Sequence, residues 1–171
     1  MENFFRSFIG LIGKVMDISL IAIGRISGCP ESQLVNKYIA RINKLSRLTG
    51  MKLIKLIEID EKKFRTPSVQ ATKIREKFES NGNIFLFDEK GKALSSKEFT
   101  KFLSKQRDSG IKNQTFVIGG PFGLCSSLEK EADGVISLGR MVWPHFLVRV
   151  LVVEQIYRAA SLITGSPYHK N

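Results

Sequence analysis

A glycine-rich motif in the second half of the chain could bring backbone close to a ligand. It is Gly119-Gly120-Pro121-Phe122-Gly123, and it directly follows the apolar run at residues 115–118. Glycine permits positive φ and lets a ligand approach the main chain. The spacing differs from the dinucleotide fingerprint, and no Gly-Lys-Ser/Thr follows as in a P-loop. The motif is compatible with a ligand-binding turn or with a tight turn between a strand and a helix.

A second motif places large apolar residues between a glycine and a proline. It runs Gly139-Arg140-Met141-Val142-Trp143-Pro144, after Leu138 and before His145. Pro144 stands where a helix could begin, because proline suits the first helical turn. Exposing such side chains to water is costly. They therefore either pack inward, as ordinary core, or cover a flat apolar ligand such as an adenine ring.

The segment at residues 145–163 predicts a helix that is apolar on nearly every side. Arg149, Glu154 and Arg158 interrupt it, and the last two are four residues apart, as in an ion pair on one helix face. So apolar a helix suits either a core or a subunit interface. His145 at its start and His169 in the tail carry no catalytic assignment by themselves.

Charge and composition favour an anionic partner and disfavour a metal site. The 171 residues carry a formal net charge of +11 with only two cysteines, Cys29 and Cys125, and two histidines. A surplus of this size indicates nucleic acid or a membrane surface. So few cysteines exclude a disulfide framework and a multi-cysteine zinc site, and two histidines disfavour an all-histidine site. We therefore expect no metal.

The positive charge is concentrated in the first half of the chain. Residues 36–77 hold twelve Lys or Arg against four Asp or Glu. Within this range the intervals of four, three and three put four cations on one helical stripe, Lys37, Arg41, Lys44 and Arg47. Such a stripe is often only a solvated face. Because positive charge dominates the chain, we favour contact with the phosphate backbone of a nucleic acid.

Strands and helices alternate along the chain. Apolar runs predict strands at residues 18–23, 53–59, 84–87, 115–118 and 135–138. Amphipathic or apolar periodicity predicts helices at residues 32–48, 68–78, 96–106 and 145–163. Ser32 is the expected cap of the first helix and Gly50 its end, residues 88–91 form a turn, and Ser95 with Glu98 resembles a capping box.

This order predicts a doubly wound, mostly parallel α/β sheet. Such sheets bind ligands at the carboxyl ends of their strands. The loops after Phe87, Ile118 and Leu138 are therefore the expected site.

Residues 16–171 are expected to form one domain, preceded by an extension at residues 1–15. The apolar stretch at residues 4–23 is broken by Arg6, Lys14 and Asp17, so it does not predict a membrane span. No small-x-small cleavage motif follows it. We interpret residues 1–15 as a product of the choice of start codon. A short amphipathic helix that touches a surface is the alternative.

Several stretches together resemble one family. "VIGGPFGL", "SLGRMVWPHFLVRVLVVEQIYRA" and "GSPYHK" resemble the RlmH-type ribosomal RNA methyltransferases of the SPOUT class. "MDISLIAIGR" is similar to the family's first strand, and "LFDEKGK" to its third strand and turn. The resemblance runs from Met16 to Asn171 and is strongest from Phe116 onward.

The resemblance implies an activity, a fold detail and a set of partners. The activity is methylation of N3 of a pseudouridine in helix 69 of 23S rRNA, on assembled ribosomes, with S-adenosylmethionine as methyl donor. The sheet would carry a C-terminal trefoil knot, which is rare among protein chains, and the protein would be a cytoplasmic homodimer. The family's cofactor loops correspond here to Phe87, Gly119, Gly120, Leu138, Gly139, Arg140, Met141, Val142, Trp143 and Pro144. At Gly120 a side chain is expected to fill the space where cofactor meets backbone.

The implied chemistry needs positioning and a proton acceptor. Methyl transfer from a sulfonium is an in-line displacement, so the enzyme mainly orients two reactants. The imide proton at N3 must leave, which favours a general base. The candidates are His145, Tyr168 and His169, while Arg149 could stabilise the developing anion. Expected contacts to RNA are Lys37, Arg41, Lys44, Arg47, Arg149, Arg158 and Lys170. A base in a hairpin loop also suits flipping into a pocket.

Two rival functions are weighed against this one. One is a SPOUT-class methyltransferase that acts on tRNA, and the other is a basic ribosome-binding module without catalysis. The compact chain, with no added RNA-binding domain, favours the ribosomal target. The glycine and apolar-loop motifs argue against a module that only binds.

Overall fold

A computed structural model describes residues 15–168. The extension predicted at residues 1–15 lies outside this range apart from Val15, and so do the tail residues His169 and Lys170. Five strands form one sheet in the order β2-β1-β4-β3-β5. They are β1 (Met16–Ile23), β2 (Met51–Ile59), β3 (Gly82–Ala93), β4 (Asn113–Ile118) and β5 (Gly134–Ser137). Every neighbouring pair is parallel.

Helices cover both faces of this sheet. They are α1 (Pro30–Lys44), α2 (Ser46–Thr49), α3 (Pro67–Arg75), α4 (Ser96–Asp108), α5 (Ser126–Glu131) and α6 (His145–Ile163). Successive strand residues point to opposite faces. Leu20 and Phe116 therefore pack with α1, α4 and α6, while Ile21 and Val117 pack with α3 and α5. The predicted parallel, doubly wound α/β fold is confirmed, whereas the trefoil knot stays a prediction.

The start of the first helix was predicted wrongly. The helix begins at Pro30 with Cys29 in the N-cap position, because proline is pre-organised for the first turn. Ser32 lies inside this turn, and its hydroxyl donates to the Cys29 carbonyl at 2.7 Å. The helix also breaks at Leu45, so the predicted single helix is two. Gly50 ends the second with φ 64°, as predicted.

Strand β3 is longer than predicted and contains an excursion. Phe87 and Lys92 both pair with Ile136, so the residues between them leave the ladder. The turn predicted at residues 88–91 is thus an excursion within one strand. At Gly91 a Cβ atom would lie 2.7 Å from backbone carbons of Val135 and Ile136, so only glycine fits there. The excursion places residues 88–90 beside the carboxyl end of β4.

Helix α4 begins as predicted, whereas helix α5 was not predicted. The capping box at α4 is confirmed, since the Ser95 amide donates to Glu98 at 2.8 Å and the Glu98 amide donates back to Ser95. Helix α5 was missed, because six residues are too few to show a helical period.

Candidate active site

The excursion at residues 88–90 of β3 and the loops that follow β4 and β5 meet and enclose a cleft of about 340 Å³. Of the residues predicted to bind a cofactor, those that line it are Phe87, Gly119, Gly120, Leu138, Gly139, Met141, Val142 and Trp143. Arg140 and Pro144 belong to the same loop but do not line the cleft. The other lining residues had no predicted contact to a cofactor, namely Asp88, Glu89, Lys90, Ile118, Pro121, Gly123, Leu124, His145 and Val148. For Asp88, Glu89 and Lys90, the charged stretch directly after Phe87 is the sequence signal that could have placed them at the site.

The glycine turn is tight and packs on the end of β1. The Gly123 amide donates to the Gly120 carbonyl at 3.0 Å, and Gly123 has φ 72°. A Cβ atom at Gly120 would lie 2.8 Å from Cγ2 of Ile23. Glycine is therefore required at this position by contact with the core. This steric reason differs from the one expected from the sequence, which is open space for a ligand.

The apolar loop after β5 does not pack inward. Met141 is 67% exposed, Val142 80% and Trp143 37%. The Ser137 hydroxyl fixes the start of the loop, donating to the Gly139 carbonyl at 2.9 Å and accepting from the Gly139 amide at 3.1 Å. The core-packing alternative is thus excluded for Met141 and Val142 within one chain. Because Met141 and Val142 are exposed in one chain, we expect a bound ligand or another protein surface to cover them.

His145 is the titratable group of α6 that faces the cleft. Its Nε2 atom is buried and has no hydrogen-bond partner within the described part of the chain. Burial lowers the pKa of His145 below its ordinary value; the Glu61 carboxylate opposes this shift and the Arg149 guanidinium adds to it. The ring is therefore neutral at pH 7, and a neutral imidazole has one nitrogen that can accept a proton.

Arg149 lies under the cleft and is fully buried. Its guanidinium donates to Oε1 of Glu58 at 2.8 Å, to the Gly24 carbonyl at 2.9 Å and to the Ile23 carbonyl. The same Glu58 oxygen accepts from the Ile26 amide at 3.0 Å. Arg149 thus ties α6 to the ends of β1 and β2. This burial contradicts the expectation that Arg149 binds RNA phosphates.

Tyr168 lies against the distal half of α6. Its hydroxyl donates to Glu154 at 3.1 Å and is 3.3 Å from the hydroxyl of Tyr38. Burial raises the pKa of Tyr168 above its ordinary value, and the hydrogen bond to Tyr38 and the charge of Glu154 add to the shift. The cleft contacts only the first turn of α6, at His145 and Val148. Within one chain, Tyr168 is therefore not brought to the cleft.

Two of the predicted RNA-binding arginines already have partners in the fold. Arg158 donates to Oε1 of Glu154 at 2.6 Å, the ion pair that the spacing of four predicted. Arg41 lies over the rings of Tyr38 and Tyr157, at 5.7 and 5.6 Å from their centroids. Both remain partly accessible to solvent.

The remaining residues of the basic stripe are exposed. Lys37 and Lys44 project from α1, and Arg47 projects from the separate helix α2. The break at Leu45 therefore interrupts the predicted single stripe, although these cations still follow one another along the chain.

Residues 16–169 match the family described as "Predicted SPOUT methyltransferase", and the chain belongs to this family. A relative of known name, ribosomal RNA large subunit methyltransferase H of Ruegeria pomeroyi, is 39% identical over 91% of this chain and 99% of its own length. The protein of that name from Cereibacter sphaeroides strain KD131 is 42% identical with the same coverage. That from Sinorhizobium fredii is 38% identical over 159 residues.

The described residues contain neither a membrane-spanning helix nor a cluster of metal ligands. Between residues 15 and 168, no helix has the length and apolar character that crossing a membrane requires. The same part of the chain gathers no group of three or more His, Cys, Asp or Glu side chains suited to a metal ion.

Proposed function

We propose that this chain transfers a methyl group from S-adenosylmethionine to large-subunit ribosomal RNA, at N3 of a pseudouridine in helix 69, on assembled ribosomes. The observation that carries the proposal is the cleft formed by the loops after Phe87, Ile118 and Leu138. Family membership supports the proposal. So do relatives named ribosomal RNA large subunit methyltransferase H, because the match to this chain spans 99% of their length.

The residues of the cleft fit this cofactor. About 340 Å³ is within the range of small-molecule sites, which are mostly apolar with a few polar groups. Leu138, Met141 and Trp143 offer an apolar wall for an adenine ring. Asp88 and Glu89 also line the cleft and offer carboxylates to a cationic ligand. When bound, S-adenosylmethionine supplies an electrophilic methyl group on its sulfonium.

Among the described candidates, His145 is best suited to accept the imide proton. It lines the cleft, and burial lowers its pKa, so its ring is neutral at pH 7 and has a nitrogen that can accept a proton. The raised pKa of Tyr168 keeps its phenol protonated at neutral pH, which suits a hydrogen-bond donor better than a base. His169 remains a candidate from the sequence alone.

We expect the protein to be a homodimer that covers the apolar loop. Met141, Val142, Trp143 and Leu147 are exposed around the start of α6, a patch typical of an interface core. A second copy would also offer a route by which the Tyr168 tail of one protomer reaches the cleft of the other.

Sedimentation at micromolar protein concentration tests the dimer. The wild type is expected to sediment as a dimer, and Val142→Asp is expected to shift it toward monomer, because a buried unpaired carboxylate is costly. Val69→Asp is the matched control, since Val69 is a 45% exposed valine on α3, on the other face of the sheet. A stable 19.3 kDa wild-type monomer would contradict the dimer.

The basic stripe is expected to bind ribosomal RNA through its phosphates. Each phosphate contact contributes about 0.7 to 0.9 log unit to the salt dependence of binding. The combined charge reversal Lys37→Glu, Arg41→Glu, Lys44→Glu and Arg47→Glu should weaken ribosome binding and flatten its salt dependence, with cofactor affinity unchanged. The matched control reverses four exposed lysines on and after α4, Lys97, Lys101, Lys105 and Lys112. An unchanged salt slope in the stripe variant would show that these cations are only a solvated face.

Tritiated methyl transfer into three substrates tests the proposed function. Whole ribosomes, free ribosomal RNA and tRNA are each incubated with the protein and labelled S-adenosylmethionine. We expect label in the large-subunit RNA of ribosomes. Label in tRNA would favour the tRNA methyltransferase alternative. Binding to ribosomes without any transfer would favour the non-catalytic module.

A further inference from the structure

Phe122 stands at the tip of the glycine turn with its ring in solvent. It is 81% exposed, although it is a large aromatic side chain. The turn below it is closed by the hydrogen bond from the Gly123 amide to the Gly120 carbonyl. The backbone that carries the ring is thus fixed. Only the side-chain torsions of Phe122 would become restricted when a flat partner binds to the ring.

A second cavity lies on the other side of this turn from the cofactor cleft. It has a volume of about 510 Å³ and is lined by Glu61, Lys62, Arg65, Gln70, Gly120, Pro121 and Phe122. Gly120 and Pro121 line both cavities. A molecule held in the second cavity would therefore lie directly beside the cofactor cleft, separated from it by the turn.

The loop after β2 supplies the second cavity with two cationic side chains, and hydrogen bonds hold the backbone of this loop. Lys62 and Arg65 are exposed, and Nε of Arg65 donates to the Lys62 carbonyl at 3.3 Å. Gln70 holds the loop to α3 by donating to the Phe64 carbonyl at 2.8 Å. These contacts hold the Arg65 guanidinium and the loop backbone in place, and the Lys62 side chain lines the same cavity as Phe122.

Among the described residues, Glu61 is the one acid that lines the second cavity, and its carboxylate is directed toward Gly24. Oε2 of Glu61 comes within 3.5 Å of the Cβ position at Gly24, where His145 and Arg149 also meet. Its charge acts on both His145 and Arg149. The rim of the second cavity therefore carries net positive charge from Lys62 and Arg65, and Phe122 adds an aromatic ring to its lining.

The geometry points to a subsite for a single-stranded nucleotide of the RNA substrate, with the base stacked on Phe122 and its phosphate near Lys62 and Arg65. This inference rests on the proposed function and adds a substrate-positioning residue to it. Aromatic rings and flanking cations are the usual means of holding unpaired bases, and stacking tolerates any base. The subsite would hold the target base or its neighbour next to the methyl donor.

Variants of Phe122 test the subsite through the Michaelis constant for ribosomes. Stacking on one base is worth about fivefold to 100-fold in binding. Phe122→Ala and Phe122→Leu are expected to raise this constant by that factor, with a smaller change in kcat. Phe122→Tyr should stay within about twofold of wild type. Affinity for S-adenosylmethionine, measured by calorimetry, and thermal stability should be unchanged in all three, because the ring is exposed.

Several outcomes would overturn the subsite. A Michaelis constant for Phe122→Ala within twofold of wild type would exclude it. Equal behaviour of Phe122→Leu and wild type would show an apolar contact without stacking. Loss of cofactor affinity would make Phe122 a wall of the cofactor cleft. If Phe122→Ala weakens binding to ribosomes and not to protein-free ribosomal RNA, a ribosomal protein is the occupant.

Ribosome cosedimentation separates failure of this inference from failure of the proposed function. If the wild type transfers no methyl group but Phe122→Ala still binds ribosomes about fivefold or more weakly, the enzyme assignment fails and the subsite holds. If transfer occurs and all Phe122 variants match wild type, the enzyme assignment holds and the subsite fails.

Discussion

Replacing Gly139 with arginine is expected to abolish binding of S-adenosylmethionine. Gly139 lines the cleft, has φ 114°, and a Cβ atom there would meet nothing within 4 Å. A long cationic side chain would extend from it into open space beside the site and repel a cationic ligand. We expect the dissociation constant to rise by about 100-fold or more, which corresponds to about 2.7 kcal/mol. Isothermal calorimetry measures this directly.

The matched control is Gly110→Arg. Gly110 also has positive φ, 85°, and open space around its Cβ position, but it lies between α4 and β4, before the amino end of β4, whereas the cleft is at the carboxyl end of that strand. Both variants carry similar backbone strain, so only Gly139→Arg should lose cofactor binding. Gly120→Arg would be a poorer test, because its clash with Ile23 disturbs the core. Normal binding by Gly139→Arg would show that the cofactor lies elsewhere.

Replacing Arg149 with leucine is expected to lower the free energy of unfolding by about 3 to 5 kcal/mol. Removal of the guanidinium leaves Glu58 and the carbonyls of Ile23 and Gly24 without the partner that they have in the fold. Urea denaturation at a fixed protein concentration measures the loss, since the stability of the proposed homodimer would depend on concentration.

Arg158→Leu is the control on the same helix. Its pair with Glu154 is partly exposed, with 26% of the Arg158 side chain accessible, so we expect a loss of about 1 kcal/mol. Glu58→Gln combined with Arg149→Met should recover part of the stability, because the buried charge is removed with its partner. Equal losses for Arg149→Leu and Arg158→Leu would contradict the structural role of Arg149.

The parallel sheet and the location of the cleft could be predicted from local patterns. The apolar runs of β1 and β4 and the bounds of α6, residues 145–163, follow from composition and periodicity alone. The strand-end rule selected the loops that line the cleft. The resemblance then assigned a cofactor to those loops, which periodicity could not do.

The features that sequence reasoning missed depend on contacts between distant segments. Arg149 meets Glu58, which is 91 positions away, and Tyr168 meets Tyr38, which is 130 positions away. Neither separation leaves a mark in a local pattern, so the sequence predicts an RNA contact or an anion-stabilising role for Arg149 and a position at the cleft for Tyr168. The steric reason for Gly120 likewise lies in Ile23, on another strand.

Analysis of the methylated nucleoside tests the central claim most directly. Ribosomes that lack the modification are incubated with the protein and S-adenosylmethionine, and the large-subunit RNA is digested to nucleosides for mass spectrometry. We predict N3-methylpseudouridine, located in helix 69, and no product when Gly139→Arg replaces the wild type. Methylation of a different nucleoside, or no methylation of large-subunit RNA by a folded wild-type protein that binds S-adenosylmethionine, would contradict the account.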